Sequence, residues 1–338
     1  MNALSDEVLQ AAQALARGEL IGLPTETVYG LAADALNPTA VSAIFKAKGR
    51  PPNHPLIVHL ADASLVPVFA SEVPVFAQRL MSACWPGPLT LIVKRHTGVA
   101  DAAAGGHATI ALRCPSHPMA QAVLRAALSL GVQGVAAPSA NVFGRVSPTT
   151  AAHVRESFPE LLVLDGGACD VGIESTIVDC SRDAPVLLRP GMLSVSQLSQ
   201  ACGVSVLSPA SHADGSGVAV SGALTTVTPA APGTLASHYA PRARVRLMTI
   251  EQMRAHLHDA KLPLATWTRT SLLSVEQAAL PDGVKHFPMP SDAAQCAHDL
   301  FAQLRSMDAL GVQEIWIETP PDGEAWGGVK DRLQRAAA

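Results

Sequence analysis

Leu20-Ile21-Gly22-Leu23-Pro24-Thr25-Glu26-Thr27-Val28-Tyr29-Gly30 decides how the chain is read, because an apolar run stops at proline and gives way to hydroxyls and one carboxylate. Residues 20–23 predict a buried strand, and residues 24–30 the polar segment that leaves it. In open α/β sheets ligands tend to bind beyond the carboxyl ends of strands, where loops supply hydroxyls and amides. Thr25 and Thr27 would face a polar ligand there, with Glu26 as the nearby carboxylate. Hydroxyls that only satisfy the local backbone give the same pattern.

Working outward, residues 4–17 predict a short amphipathic helix capped by Ser5, with Asp6 and Glu7 in its first turn and Gly18 at its end. Asn37-Pro38 starts a second helix, with Val41, Ile44 and Phe45 on one face and Gly49 after its last turn. Further strands are expected over 56–60, 89–94, 109–113, 134–137, 161–165, 176–179 and 186–189, with helices near 117–130 and 194–202. Strands mixed with helices in this way predict an open, twisted α/β sheet. Residues 206–241 contain a single charged side chain, Asp214, among Ala, Ser, Thr, Gly and Pro. Such a stretch buries too little apolar surface for a core and reads as a linker. Strands over 245–250, 263–268 and 314–318 then alternate with helices near 251–259, 291–308 and 324–334. The expected division is a first domain over 1–205, a linker over 206–241 and a second, smaller Rossmann-like α/β domain over 242–338.

Composition narrows the function classes. Hydrophobic residues at 48% and charged ones at 15% suit a large buried sheet, and a net charge of −4 supplies no basic field for nucleic acid. Any RNA contact would need a local patch. Six cysteines without a CxxC pair argue against a disulfide scaffold and a cysteine-built zinc site. The acidic amino terminus does not read as a signal peptide, and no apolar run approaches the roughly 20 residues that span a bilayer. The expectation is a cytoplasmic protein without membrane contact.

Five other places in the chain bear chemistry. Lys48-Gly49-Arg50 follows a helix and offers an ammonium and a planar guanidinium for different oxygens of a polyphosphate. Basic groups at a helix carboxyl end also complement its dipole. In Leu56-Ile57-Val58-His59-Leu60, alternation puts His59 with Ile57 and opposite Leu56, Val58 and Leu60. A lone histidine there fits a sheet face as well as a ligand site, and nothing at ligand spacing suggests zinc. Ala136-Ala137-Pro138-Ser139-Ala140-Asn141 combines small residues with short polar groups, as an ordinary turn also does. Gly144, Arg145 and Ser147 follow, and neither a Walker loop nor a GxGxxG is present. Arg113 and Arg189 end strands next to prolines, suited to carboxylate or phosphate or to a surface ion pair.

The order of these segments says more than any one of them. PTETVYG, KGRPPNHPLIVH, WPGPLT, ALRCP, PSAN, GIESTIVD and LLRPG follow one another as in the YrdC/YciO-type family, which the chain resembles over about residues 5–205. HYAP at residues 238–241, with a small domain behind it, resembles the two-domain form of threonylcarbamoyl-AMP synthases. Related carbamoyltransferases carry acylphosphatase and zinc-finger regions that are not visible here.

The resemblance implies a mixed sheet of YrdC type and the reaction of L-threonine, bicarbonate and ATP to L-threonylcarbamoyl-AMP, pyrophosphate and water. It implies that the product serves N6-threonylcarbamoyladenosine formation next to a tRNA anticodon, through a separate transferase complex. L-Threonine would sit among Thr27, His59, Arg113 and Ser175. ATP would contact Lys48, Arg50, His54, Thr109, Ser139, Asn141, Ser147, Arg189 and Tyr239. Lys48 and Arg50 would neutralise developing phosphate charge, with Mg²⁺ assisting pyrophosphate departure from ligands the sequence does not identify. The linker ending in HYAP would close over unstable intermediates. Rival readings are a YrdC-like RNA-binding module, consistent with weak tRNA contact, and carbamoyl transfer from carbamoyl phosphate.

Overall fold

The computed structural model describes residues 5–208, 231–233, 238–259, 262–272 and 280–338; most of the expected linker lies outside them. Ten strands form one mixed sheet: β1 (Ile21–Leu23), β2 (Gly30–Asp34), β3 (Ile57–His59), β4 (Ala70–Glu72), β5 (Leu89–Arg95), β6 (Thr109–Arg113), β7 (Val135–Ala136), β8 (Leu162–Val163), β9 (Thr176–Asp179) and β10 (Val186–Arg189). They run in the order β10-β9-β5-β6-β3-β7-β2-β1-β8, with β4 paired to β5. The helices of this half are α1 (Asp6–Ala16), α2 (Pro38–Lys48), α3 (Val66–Phe69), α4 (Val75–Cys84), α5 (Pro118–Ser129), α6 (Ala151–Ser157) and α7 (Val195–Cys202).

Register explains what each face does. His59 pairs with Arg113, Arg113 with Thr90, Thr90 with Ile177, and Ile177 with Arg189. Because side chains alternate along a strand, Ile57, Ala111, Ile92 and Ile177 form a small apolar floor on that same face. Their neighbours Val58, Leu112, Leu91 and Val178 point the other way, into the large core. One face of the sheet is therefore packed, and the other carries the polar residues singled out in the sequence.

Two local expectations change. Ser5 precedes α1 but makes no side-chain cap, whereas Asn37 caps α2 by accepting from the Thr39 and Ala40 amides. The PTETVY segment connects two antiparallel neighbours, with Leu23 opposite Gly30. It is the bridge between β1 and β2 and folds over the sheet; no helix follows it directly.

The second domain holds a four-stranded parallel sheet in the order β11-β14-β12-β13, built from β11 (Arg244–Met248), β12 (Leu264–Thr268), β13 (Val284–Pro288) and β14 (Glu314–Glu318). Helices α8 (Ile250–His256), α9 (Ala293–Asp308) and α10 (Gly327–Ala337) flank it. The edge strand β13 escaped the sequence reading because it is mostly exposed and shows no buried alternation.

The two halves share a core. Val28, Val146, Ile173 and Tyr239 pack with Phe301, Leu304, Val329 and Leu333. Two glycines permit the approach. Gly172 has a φ of +79°, and a Cβ there would meet the His298 carbonyl oxygen at 2.3 Å. A Cβ on Gly328 would lie 2.8 Å from the Gly191 oxygen.

Candidate functional site

The polar sheet face is roofed by the 24–29 bridge, the loop after β7, the turn before β9 and the described linker residues. Between floor and roof lies a cavity of about 50 Å³, lined among others by Thr27, Arg50, His59, Arg113, Ser139, Glu174, Ser175, Arg189 and Tyr239. His59, Arg113 and Arg189 are the last residues of β3, β6 and β10, and the segments after β1 and β7 complete the lining, so the cavity gathers at strand carboxyl ends as expected. Period-two alternation sends His59, Arg113 and Arg189 out of the sheet plane, so the site sits on a face.

One end is built around Arg113. Its Nη2 donates to Glu26 Oε1 at 2.7 Å, and both side chains are buried. Burial raises the Glu26 pKa, but Arg113 outweighs it and holds the carboxyl below its usual range. Arg113 Nε reaches the Gly87 carbonyl at 3.3 Å, which leaves Nη1 of the fork for a ligand. Thr25 Oγ1 and Thr27 Oγ1 lie 2.9 Å apart, and Thr25 also donates to the Val28 carbonyl, fixing the bridge. His59 is neutral here: burial, then Arg113, pushes it down to about 3, and its buried Nδ1 has no partner.

The other end holds two guanidiniums, and the carboxylate beside them, Glu174, is hydrogen-bonded to other groups. Arg189 donates from Nε and Nη2 to the Ser175 carbonyl at 3.1 and 2.9 Å, from Nη2 to Ser175 Oγ at 3.1 Å, and from Nη1 to the Pro232 carbonyl at 2.9 Å. Among the described residues Arg50 donates only to the Pro55 carbonyl, at 2.9 Å, and its buried Nε has no partner there. Burial, reinforced by neighbouring arginines, pushes both down to about 10. Burying cations beside neutral acceptors is costly, and an anionic ligand would relieve that cost. Ser175 links the two ends, since its hydroxyl is 2.7 Å from Thr90 Oγ1 and Thr90 pairs with Arg113.

Other expected residues stand off the cavity lining. Gly49 takes a φ of +64° after α2 and separates the directions of its neighbours. Lys48 turns inward, donating to the Asn141 carbonyl at 2.5 Å and to the Ser139 carbonyl. Burial, with Arg50 beside it, drives its pKa well below the ordinary value. Asn141 Nδ2 closes its own loop onto the Val142 and Arg145 carbonyls, and Ser147 donates to Glu174 at 2.6 Å. His54 packs edge-on against Phe143, the ring that also lies 5.8 Å from the Arg50 guanidinium carbon. Thr109 shares the face of Arg113 but pairs with Lys94, about 13 Å along β6 at ~3.3 Å per residue.

Sequence reasoning missed Glu174 as a lining residue and Arg332 as its partner, because the pair spans the two domains. It also missed His238, whose ring stacks edge-on against Tyr239 at 4.1 Å. Tyr239 is buried with a φ of +63°, a conformation costing a non-glycine residue about 1–2 kcal/mol. Burial, then Glu174, pushes its hydroxyl up to about 12. No group of three or more His, Cys, Asp or Glu able to hold a metal occurs among the described residues.

Comparison with known proteins agrees with this layout. A family model covering Sua5, YciO and YrdC, described as "Telomere recombination", matches residues 13–191. A second, described as "Threonylcarbamoyl-AMP synthase, C-terminal domain", matches residues 193–338. The chain is 36% identical to the threonylcarbamoyl-AMP synthase of Pyrococcus abyssi, over 97% of this chain and 93% of that one. It is 36% identical to the Bacillus subtilis threonylcarbamoyl-AMP synthase over 98% and 93%. The crystal structure of P. abyssi Sua5 complexed with L-threonine superposes with a TM-score of 0.83 at 34% identity, covering 98% of this chain and 94% of that one.

Proposed function

The chain belongs to the threonylcarbamoyl-AMP synthase family, and we infer that it makes L-threonylcarbamoyl-AMP and pyrophosphate from L-threonine, bicarbonate and ATP. The observation that carries this reading is one cavity with two unlike cationic ends. Arg113, already balanced by Glu26, suits a small carboxylate, whereas Arg50 and Arg189 form no ion pair among the described residues and suit a polyphosphate.

L-Threonine places its carboxylate on Arg113 Nη1, within reach of Thr27, His59 and Ser175. Its amine condenses with bicarbonate, releasing water, and a carbamate oxygen attacks the α-phosphorus of ATP. The bond from that phosphorus to the bridging oxygen breaks, and pyrophosphate leaves. Transfer of this kind depends on positioning and charge neutralisation. Arg50, Arg189, Ser139 and Tyr239 face the nucleotide. Lys48, Asn141 and Ser147 hold the wall behind them, and His54 and Thr109 mark the outer reach of the ligand. No side chain forms a covalent intermediate, and a trapped enzyme adduct would refute that step. Among the described residues the lining offers no free carboxylate for a metal, because Glu26 and Glu174 are already paired. Mg²⁺ therefore enters as part of the MgATP substrate, held by phosphate oxygens and water.

At about 50 Å³ the cavity has room for only a few waters, at ~10–15 Å³ for each. Pro232, Gly233, His238 and Tyr239 roof it, so nucleotide entry and product exit require this segment to move. Closure then shields the carbamate and the adenylate from water. Unchanged turnover and product hydrolysis after deletion of residues 232–241 would refute that role. The adenylate passes to a separate transferase complex that modifies tRNA in the cytoplasm, with at most weak tRNA contact by this chain. No described helix is long and apolar enough to cross a membrane. The direct test is pyrophosphate release that requires ATP, bicarbonate and L-threonine together. Release without threonine points to another acceptor, a requirement for carbamoyl phosphate to carbamoyl transfer, and no turnover to a binding module.

A further inference from the structure

Glu174 lines the cavity on its phosphate side, yet both of its oxygens are occupied by protein. Oε1 accepts from Ser147 Oγ at 2.6 Å and Oε2 from Arg332 Nε at 2.7 Å. Arg332 belongs to α10 of the second domain and is completely buried. It also donates to the Pro190 carbonyl at 3.0 Å and the Glu174 carbonyl at 3.3 Å. Its guanidinium carbon lies 5.4 Å from the centre of the Tyr239 ring. One side chain of the second domain thus touches three segments of the site: the turn before Ser175, the residue after Arg189, and the linker tyrosine.

The electrostatics show what this contact prevents. Burial works against the Glu174 charge, and the attractions that overcome it come first from Arg332 and next from Arg189. Arg189 is anchored to the carbonyl of the very next residue, Ser175. Without Arg332, a buried carboxylate would face a buried guanidinium bound only to neutral oxygens. Two such groups pair in preference to remaining apart.

We propose that Arg332 is a positioning residue for the reaction: by occupying Glu174 it keeps that carboxylate from capturing Arg189, whose guanidinium is left to the nucleotide phosphates. The second domain thereby completes the site without touching substrate. The inference rests on the assignment of phosphates to the Arg189 end.

The test uses the full-length chain and four proteins: wild type, Arg332→Met, Glu174→Gln and the double variant. Arg332 Nη1 also donates to Asp331 Oδ2 at 2.6 Å, and when that bond is removed Asp331 still has Arg335 as a partner at 2.8 Å. Pyrophosphate release, measured well below each melting temperature, gives separate KM values for ATP and L-threonine. Arg332→Met raises the KM for ATP by about tenfold or more, the loss of roughly one charged hydrogen bond, and leaves that for L-threonine within about twofold. Adding Glu174→Gln returns the KM for ATP to within about threefold of wild type. That rescue occurs although the contacts to Pro190 and Tyr239 stay lost, so simple domain docking does not produce it. An unchanged KM for ATP in Arg332→Met, or no rescue in the double variant, overturns the proposal. If Arg332→Met alone does not fold, the double variant is compared with Glu174→Gln: equal KM values for ATP support the proposal, and a tenfold gap overturns it. Absence of ATP-dependent chemistry in the wild type instead refutes the underlying functional reading.

Discussion

Arg50→Met is predicted to weaken ATP binding while leaving the ligand-free protein as stable as wild type or slightly more so. Burial and the nearby Arg189 hold the Arg50 guanidinium near 10 rather than its ordinary 12.5, an unfavourable environment worth roughly 3 kcal/mol at ~1.4 kcal/mol per pKa unit. Methionine removes that cost. It also removes the bond to the Pro55 carbonyl, about 1 kcal/mol, and the contact with the Phe143 ring, about 0.5–1 kcal/mol. The balance favours the variant by about 1 kcal/mol, which calorimetry reads as a melting temperature ~1–2 °C higher. Against this, one charged hydrogen bond to phosphate is worth about 1.5–3 kcal/mol, so titration calorimetry with ATP should show affinity reduced about 10- to 100-fold. L-Threonine affinity should not change, because Arg113 and Glu26 are untouched. If ATP affinity stayed within threefold of wild type, or the melting temperature dropped by many degrees, Arg50 would be a structural cation and the account of this end of the cavity would be wrong.

His59 and His238, held neutral down to about 3 and 4, gain protons in the unfolded chain first, below 6.5. Stability should therefore fall by about 1.4 kcal/mol per pH unit for each below 6.5, and His59→Gln should flatten that slope in denaturant titrations. The pKa values of Glu26 and Glu174 are depressed, so their contributions are full above 4.5 and are lost as pH falls through the folded values. Glu26→Gln should cost about 3–5 kcal/mol at neutral pH, with the difference from wild type shrinking in acid; an unchanged difference would contradict the pairing. Gly172→Ala should lower the melting temperature sharply and weaken domain docking, since its Cβ would sit 2.3 Å from the His298 oxygen at a φ of +79°. Limited proteolysis that leaves the docked domains as resistant as in wild type would refute that.

Much of this was legible in the sequence where one local rule applied. Alternation placed His59 with Ile57, and the cavity contains both. Asn37-Pro38 and Gly49 bounded α2 because capping and left-handed chemistry are local. Legibility ended where partners are distant. Nothing near Lys48 announces that its ammonium is used on the 139–141 loop, and nothing near Glu174 announces Arg332, 158 residues away. The stretch 20–30 likewise does not reveal that its polar half joins two antiparallel strands and folds back over the sheet.

The central claim is that one cavity joins L-threonine, bicarbonate and ATP into a single product. Incubation with carbon-13 bicarbonate, ATP and L-threonine, followed by mass spectrometry of the nucleotide fraction, tests it most directly. The account predicts threonylcarbamoyl-AMP carrying one carbon-13, formed in step with pyrophosphate and absent when threonine is withheld. Pyrophosphate release that ignores threonine, or an adenylate without the label, would contradict it.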